Sequence, residues 1–317
     1  MRNNITPTVE SGLLVAIAVV LGLISVYVPV IGIIVEFFLA VPIAVITVRQ
    51  GTGKGFSALI VSFLLLSMFS GPLLAARIAL SFSVCGLIMG YCLRKNFGAV
   101  KLFFATLVTA FIAQIIAVLM LTAVLGIDVM GTQLDMVKES FDESFKMYET
   151  MGVAKVEIDE ARAQLEPTIK LLSYLMPTLL LLMALINTVA CYLTAHWIFP
   201  KLQIKIPGMP PFNEWRFPII FLYITAFAMI GIYWGGTREW NFLYTVSVNA
   251  VIFAMGFGLV QGFSLLSYLA DKYNISKFFR RVIFIILILN FMFLEIVAFT
   301  GLFDMAFDYR KKLFDGR

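Results

Sequence analysis

Residues 102–125 read LFFATLVTAFIAQIIAVLMLTAVL, without a charged residue. An apolar run longer than roughly 18 residues is typical of a helix that crosses a bilayer. Lipid offers no partner to a free backbone N–H or C=O group, so a spanning segment must be a helix or part of a closed barrel. The run lacks the polar and apolar alternation of barrel strands, and it therefore predicts a transmembrane helix.

Composition extends this prediction to the whole chain. Of its 317 residues, 61% are hydrophobic and only 14% are charged. A soluble domain carries roughly 25% charged residues, so the surplus of apolar surface here needs lipid to cover it. We therefore expect an all-α, polytopic transmembrane helical bundle in contact with the lipid bilayer, and not a soluble enzyme.

Breakers and charged residues divide the chain into about nine predicted spans. We expect two domains: residues 1–199 form a six-helix membrane domain, and residues 200–317 contain a Pro-rich linker and three further helices. The predicted spans are 9–28, 31–48, 55–70, 73–93, 101–125, 169–199, 217–234, 240–269 and 282–303.

Residues 127–168 form the first long polar segment, with ten acidic and four basic residues. We place the segment outside the bilayer, where Pro167 would start or kink the sixth span. Helical spacing of apolar residues predicts an amphipathic helix that could act as a lid. That stripe consists of Leu134, Val137, Phe141, Phe145, Tyr148 and Met151.

The distribution of Lys and Arg predicts orientation, because positive charge collects on the cytoplasmic side. A cytoplasmic N-terminus puts the basic loops and the linker inside, and the acidic segment outside. Nine spans would then leave the basic tail 304–317 outside, against the rule. Either the earlier loops determine the orientation, or one predicted span does not cross, and the long segment 240–269 would be questioned first.

Motifs for catalysis are absent from the sequence. His196 is the one histidine, and we interpret it as an interfacial anchor rather than a base. Residues 51–55, GTGKG, lack the spacing of a phosphate-binding loop and predict a flexible turn. The cysteines, Cys85, Cys92 and Cys191, form no C-x-x-C pair and predict inert buried thiols. We expect no enzyme activity, cofactor, metal or nucleic-acid partner.

Glu36 and Arg77 are the most informative charges, because an ionisable residue inside a span costs about 2.5–3.5 kcal/mol unless it is paired or hydrated. Glu36 lies seven residues past Pro29, and Arg77 lies five past Pro72. At 1.5 Å per residue, both lie roughly 8–10 Å below the outer surface. The spacing predicts an ion pair or a shared polar cavity, which either binds a ligand or only fixes helix packing.

Other polar residues inside predicted spans are Gln114, Asn187, Asn249, Gln261, Asn290 and Glu295. Amide side chains commonly join helices by hydrogen bonds, and packing is the default interpretation of them. We nevertheless include Asn187, in the sixth span, in the candidate ligand site. Glu295, in the outer half of the ninth span, needs a partner, a proton or water.

Small residues spaced four apart let helices approach closely. The first predicted helix has two such pairs, Gly12 with Ala16 and Ala18 with Gly22. Each pair could pack against a helix of the same chain or against a partner protein.

Residues 9–24, VESGLLVAIAVVLGLI, with short spans packed closely behind them, resemble the start of the substrate-binding S components of energy-coupling-factor vitamin transporters. The resemblance implies a six-helix domain with both termini inside and a small-molecule pocket near the outer surface, at the depth of Glu36 and Arg77. It also implies that Gly12 and Ala16 dock on an ATPase coupling module. S components lack the last three spans.

Across its whole length the chain is similar to the YybS-like family of bacterial membrane proteins of unknown function, which implies the bacterial cell membrane but no activity. Three stretches carry this resemblance: 210–218 (PPFNEWRFP), 260–268 (VQGFSLLSY) and 301–310 (GLFDMAFDYR).

Two main hypotheses follow from the sequence. The first is a membrane substrate-binding or transport component with a cavity in the outer half, bounded by the second, fourth and sixth helices. The alternative is a membrane scaffold or regulatory partner of envelope machinery, recognised through its linker and basic inner loops, which also suit anionic lipid headgroups. An intramembrane enzyme that uses Glu36 or Glu295 is a third class, but neither has a second catalytic group beside it.

Overall fold

The computed structural model describes residues 7–126 and 128–314. Within these residues every regular element is helical and no β-strand occurs. Eight helical segments are long and apolar enough to cross a membrane, and a further apolar segment is a bent pair of helices. The expected all-α transmembrane bundle is therefore confirmed.

The helices pack into two compact units. The first consists of Met1–Ile158 and Leu179–Gly208, and the second of Asp159–Thr178 and Met209–Arg317. Packing thus divides the chain after Gly208, whereas we predicted a division after residue 199. It also places the end of the acidic segment in the second unit.

The first unit begins with α1 (Pro7–Tyr27), α2 (Ile31–Glu36), α3 (Ala40–Gln50), α4 (Thr52–Ser70), α5 (Pro72–Ile78), a π-helical turn (Ala79–Ser83), α6 (Val84–Arg94), α7 (Ala99–Leu125) and α8 (Val129–Thr150). Two helices contribute to both units: α9 (Lys155–Tyr174) and α10 (Met176–Ile198), which continues into a 3₁₀ turn (Phe199–Leu202). The second unit adds a 3₁₀ turn (Phe212–Glu214), α11 (Ile220–Thr237), α12 (Asn241–Lys272), α13 (Lys277–Leu289), α14 (Phe291–Phe307) and α15 (Tyr309–Phe314).

The second predicted span is present as one apolar helical segment, Ile31–Gln50, but its α-helical bonding is interrupted at residues 37–39, between α2 and α3. Pro42 explains the break. It has no N–H to donate, and in a continuous helix its ring would clash with the carbonyl of Phe38. The backbone N–H groups of Phe37, Phe38 and Leu39 instead bond three residues back, and α3 then begins with Pro42 in its first turn.

The sixth predicted span also begins later than expected. Pro167 lies inside α9 and neither starts nor ends a helix. The break falls at Leu175, and the spanning segment begins at Met176. Pro177, at the second position of α10, gives the reason, because a residue without an N–H fits the first turn of a helix.

Asn249 of α12 forms hydrogen bonds to both sides of the break at Leu175, within the second unit. Its Oδ1 accepts hydrogen bonds from the backbone N–H of Thr178, at 3.0 Å, and from Thr178 Oγ1, at 2.6 Å. Its Nδ2 donates to the carbonyl of Tyr174, at 2.6 Å. The end of α9 and the start of α10 thus gain partners for backbone groups that a helix end leaves free. Asn249 joins helices, as its default interpretation predicted.

The core of the first unit is centred on α3, whose residues from Ala40 to Thr47 are all buried. A Cβ atom built on Gly86 would lie 2.2 Å from the carbonyl oxygen of Ala40, and one built on Gly90 would lie 2.7 Å from that of Ala44. The backbones of α3 and α6 therefore touch along matched small residues.

The ninth predicted span, 282–303, is not one helix. It consists of α13 and α14, which meet at Asn290 with a change of direction of 107°. Asn290 does not join helices; its Oδ1 caps α14 by accepting hydrogen bonds from the N–H groups of Met292, at 3.1 Å, and Phe293, at 3.3 Å. α14 then crosses α12 so closely that a Cβ atom on Gly301 would lie 1.8 Å from the carbonyl oxygen of Gly258.

Candidate functional site

The ion pair predicted between Glu36 and Arg77 is present in the first unit. Arg77 Nη2 lies 2.9 Å from Glu36 Oε1, and the two side chains remain 39% and 19% exposed. Glu36 is the last residue of α2, and Arg77 lies in the last turn of α5. Both charges therefore stand where a spanning helix is interrupted.

The interruption after Arg77 is a π-helical turn, Ala79–Ser83, which the sequence did not reveal. Such a turn disturbs the regular backbone pairing of a helix and is frequent at functional sites. Asn187 of α10 donates from Nδ2 to the carbonyl of Ser81 at 2.5 Å, and its Oδ1 accepts from Cys191 Sγ at 3.2 Å. Asn187 thus stabilises the irregular turn that follows Arg77.

Helix α10 also forms a hydrogen bond to the interruption after Glu36. Thr194 of α10 donates to the carbonyl of Phe37 at 3.1 Å, while its hydroxyl also lies 2.9 Å from the carbonyl of Ala190. The rings of Phe37 and Phe82 meet edge to face, with centroids 6.4 Å apart. Helix α10 therefore contacts the interruptions of both the second and the fourth spans.

The loop that leads to Glu36 is strained. Val30 has φ 64° and ψ −59°, and the N–H of Ile31 donates to the carbonyl of Pro29 at 2.7 Å. These values define a classic γ-turn, which is rare and unfavourable for a β-branched residue. Strain of this kind persists only where the surrounding structure enforces it, and it clusters at functional sites.

The groove that the structure shows in the first unit lies elsewhere. It is open, has a volume of about 430 Å³, and is lined by residues at the Arg49 end of α3, opposite to Glu36. Glu36, Arg77 and Asn187 are not among its lining residues. The ligand cavity predicted in the outer half therefore remains a prediction.

The two small-residue pairs of α1 have different environments. Ala18 and Gly22 are buried, and a Cβ atom on Gly22 would lie 3.1 Å from Leu66 Cδ2 of α4. Gly12 and Ala16 are exposed, and nothing lies within 4 Å of a Cβ atom on Gly12. The first pair packs within the unit, whereas the second leaves a shallow surface.

The remaining intramembrane polar residues add no second group to this site. Gln114 is half-buried in α7, and Glu295 is exposed on α14. Glu295 has no hydrogen bond or ion pair with any described residue. His196 is exposed and stacks on Tyr192 with ring centroids 5.8 Å apart, as an anchor would.

A buried polar cluster in the second unit was missed from the sequence. It comprises Gln261, Ser264, Asp304 and Arg310, each at most 4% exposed. Gln261 donates from Nε2 to Asp304 Oδ2 at 2.5 Å, and Arg310 Nη2 donates to Ser264 Oγ at 2.9 Å. The sequence analysis assigned both Asp304 and Arg310 to the tail after the ninth span, whereas Asp304 belongs to α14 and the acid and the base are buried together.

Arg310 also holds the linker. It donates from Nη1 to the carbonyl of Asn213 at 2.5 Å and from Nη2 to that of Trp215 at 3.2 Å. Burial lowers the pKa of the Arg310 guanidinium, and the nearby Asp304 carboxylate opposes this shift. Only the position of Arg310, nine residues past the last glycine of α14, distinguished it from the surface basic residues beside it.

Both ends of the α13–α14 pair lie at the linker end of the second unit. At the start of α13, Arg280 pairs with Asp271 at 2.7 Å, and Asp271 accepts from Asn213 Nδ2 at 2.8 Å. After α14, Arg310 bonds to the carbonyl of the same Asn213. A segment that starts and finishes at one end has the form of a re-entrant hairpin, which is one of the two forms that a bent pair of helices can take in a membrane.

Comparison with known proteins agrees with this architecture. The family model described as predicted membrane protein (DUF2232) matches residues 16–305. The chain belongs to this family. It is 24% identical to the uncharacterized protein YybS of Bacillus subtilis (strain 168), over 96% of this chain and 97% of that protein. No solved structure matches the chain.

The three stretches that suggested the family resemblance all contribute to the second unit. Residues 210–218 supply the linker carbonyls, residues 260–268 supply Gln261 and Ser264, and residues 301–310 supply Asp304 and Arg310. The three stretches therefore meet in the buried polar cluster of the second unit.

Proposed function

We propose that the chain is a membrane substrate-binding or transport component, with a small-molecule site formed by Glu36, Arg77 and Asn187. One observation carries this proposal. Two neighbouring spans are interrupted, the interruptions are joined by an ion pair, and a third helix bonds to both of them. Interrupted helices at membrane depth are tolerated where they are buried in protein or line a cavity, and they mark the binding sites of many transporters.

The chemistry of the pair favours a small zwitterionic or polar ligand. Arg77 has five N–H donors and contributes one of them to Glu36 at 2.9 Å. A ligand carboxylate can engage the remaining donors, and a ligand ammonium or hydroxyl can bind Glu36. The exposed fraction of Arg77 leaves it accessible for such an exchange.

Sidedness is part of the proposal. With a cytoplasmic N-terminus, α8 with its acidic residues faces outward, and both the linker and the chain's end face inward. The re-entrant hairpin supports this arrangement, since it returns Arg310, Lys311 and Lys312 to the linker end. The basic tail then follows the positive-inside rule.

An energy source must come from a partner, because the sequence offers no nucleotide-binding loop. We propose an ATPase coupling module that docks on the exposed face of α1 around Gly12 and Ala16. Small residues on a lipid-facing helix let a partner helix approach closely.

The test is ligand capture by the purified full-length protein. After incubation with a defined mixture of amino acids and water-soluble vitamins, native mass spectrometry should detect one bound component, which Glu36→Gln and Arg77→Ala lose. Variants of the exposed pair Asp135 and Lys138, 3.3 Å apart on α8, are matched controls and should retain it. Loss of folded protein in the Glu36 and Arg77 variants, without any bound component in the wild type, would assign the pair to packing instead.

The scaffold alternative is favoured by one feature, the linker that Arg310 holds in a fixed shape at the end of the second unit. A pull-down from membranes separates the two functions. Recovery of an ATPase module supports transport, whereas recovery of cell-envelope machinery alone supports a scaffold.

A further inference from the structure

The groove of the first unit has a basic rim. Arg49 and Lys205 line it, and the exposed Arg94 lies against Gly51 beside Arg49. Arg49 is paired with Glu10, whereas Lys205 and Arg94 form no ion pair within residues 7–126 and 128–314. The rim therefore carries uncompensated positive charge.

Neutral donors complete this rim. Asn96 and Gln203 also line the groove, and both have left-handed backbones, with φ of 55° and 60°. This conformation ends α6 and the 3₁₀ turn after α10, so two chain turns bring amide side chains to the same groove. Guanidinium, ammonium and amide groups together suit an acceptor-rich anion.

The floor of the groove is apolar. Leu93 and Ile204 line it, and each is only 8% exposed. A phosphate ester with an apolar substituent would contact both the rim and this floor, whereas inorganic phosphate would contact only the rim. A volume of about 430 Å³ is also in the range of small-molecule sites, roughly 300–1,000 Å³.

Aromatic residues lie beside the groove, as they do near the lipid headgroups of a membrane. Lys201 Nζ lies 3.6 Å above the ring of Trp197, and the rings of Tyr91 and Phe97 meet edge to face at 6.4 Å. Trp and Tyr concentrate at membrane–water interfaces. These pairs lie next to the residues that form the groove.

We propose that this groove binds an anionic phosphate group, with Lys205 as the charged contact; Arg49, which is bonded to Glu10 and to the carbonyl of Leu202, borders the site. The same chemistry could be presented by a phospholipid headgroup or by a soluble phosphate. The site is separate from Glu36 and Arg77 and does not depend on the proposed transport function.

The experiment measures dissociation constants for the purified full-length protein by native mass spectrometry. The probes are dihexanoyl phosphatidylglycerol, dihexanoyl phosphatidylcholine and inorganic phosphate. We expect phosphatidylglycerol to bind best and Lys205→Gln to weaken it about fivefold, the equivalent of about 1 kcal/mol for one basic residue near a membrane surface. Lys205→Arg should retain binding.

Lys54→Gln is the matched control, because Lys54 is an exposed lysine near the same end of the unit but does not line the groove. It should leave the dissociation constant unchanged. Binding of inorganic phosphate with the same dependence on Lys205 would support the site with a soluble ligand. The proposal is overturned if neither anionic probe binds, or if Lys205→Gln and Lys54→Gln weaken binding equally.

Discussion

At the scale of single residues, buried charges and backbone strain identify the side chains whose substitution should change stability. The spacing of Glu36 and Arg77 from their prolines was enough to predict the ion pair, because both intervals are short and helical. Asp304 and Arg310 could not be found in this way. Their contacts with Gln261, Ser264 and the linker join residues 43 to 97 positions apart in the chain, and no local pattern encodes such distances.

Arg310→Ala should destabilise the second unit by about 3–5 kcal/mol, because it leaves the Asp304 carboxylate buried without its partner. The side chains of both residues are only 2% exposed. Thermal unfolding of the purified protein measures the effect, and Lys312→Ala, an exposed neighbour, is the control. The double variant Asp304→Leu with Arg310→Met should recover part of the loss; a loss as large as that of Arg310→Ala would show that charge pairing is not the cause.

Val30→Gly should raise the free energy of unfolding by about 0.5–1 kcal/mol. The left-handed region costs an L-residue about 1–2 kcal/mol, and the added backbone entropy of glycine offsets part of this gain. Val28→Gly, two residues earlier and outside the group with positive φ, should destabilise instead. Equal melting shifts for the two variants would contradict a strained turn at Val30.

At the scale of elements, hydropathy predicted where helices exist, but not where they break. The Pro42 and Pro177 breaks follow from proline chemistry and were accessible from the sequence in principle. The π-helical turn at Ala79–Ser83 was not, because no residue in it is a helix breaker. It forms through tertiary contacts, including the hydrogen bond from Asn187 to Ser81.

Packing between helices makes the helical glycines Gly90 and Gly12 respond in opposite ways to a larger side chain. Gly90→Leu should prevent folding, since even a Cβ atom there would lie 2.6 Å from Thr47 Cβ. Gly12→Leu should give folded protein at the wild-type level, because the position is open. Yield of monodisperse protein on size exclusion measures both, and aggregation of Gly12→Leu would mean that the α1 face is needed within the chain.

At the scale of the whole molecule, residues 7–126 and 128–314 contain eight helical segments that can span a membrane, or nine if the bent pair α13–α14 counts as one span, in agreement with the prediction of about nine. A re-entrant hairpin would place the last basic residues with the linker and not with the acidic segment. The sequence indicated that one span was doubtful, because nine crossings conflict with the positive-inside rule. We questioned the long α12, whereas the bend lies in the ninth segment. Asn290 resembled an interhelical residue and proved to cap a helix at the bend.

Cysteine labelling tests this topology, since the three native cysteines are buried. Lys138→Cys should react with a membrane-impermeant maleimide on intact cells. Lys205→Cys and Lys312→Cys should react only after the membrane has been permeabilised, so that the maleimide reaches its cytoplasmic face. Labelling of Lys312→Cys on intact cells would make the α13–α14 pair a true crossing.

The hydrogen bonds from Arg310 to the linker also determine when, during synthesis of the chain, the linker can take its final structure. The carbonyl of Asn213 receives its guanidinium donor only when a residue 97 positions later has been made. At roughly 5–20 residues per second, the ribosome needs about 5–20 s to add that stretch. Throughout this interval the linker carbonyl lacks this donor, and the linker can take its final structure only after Arg310 has been added.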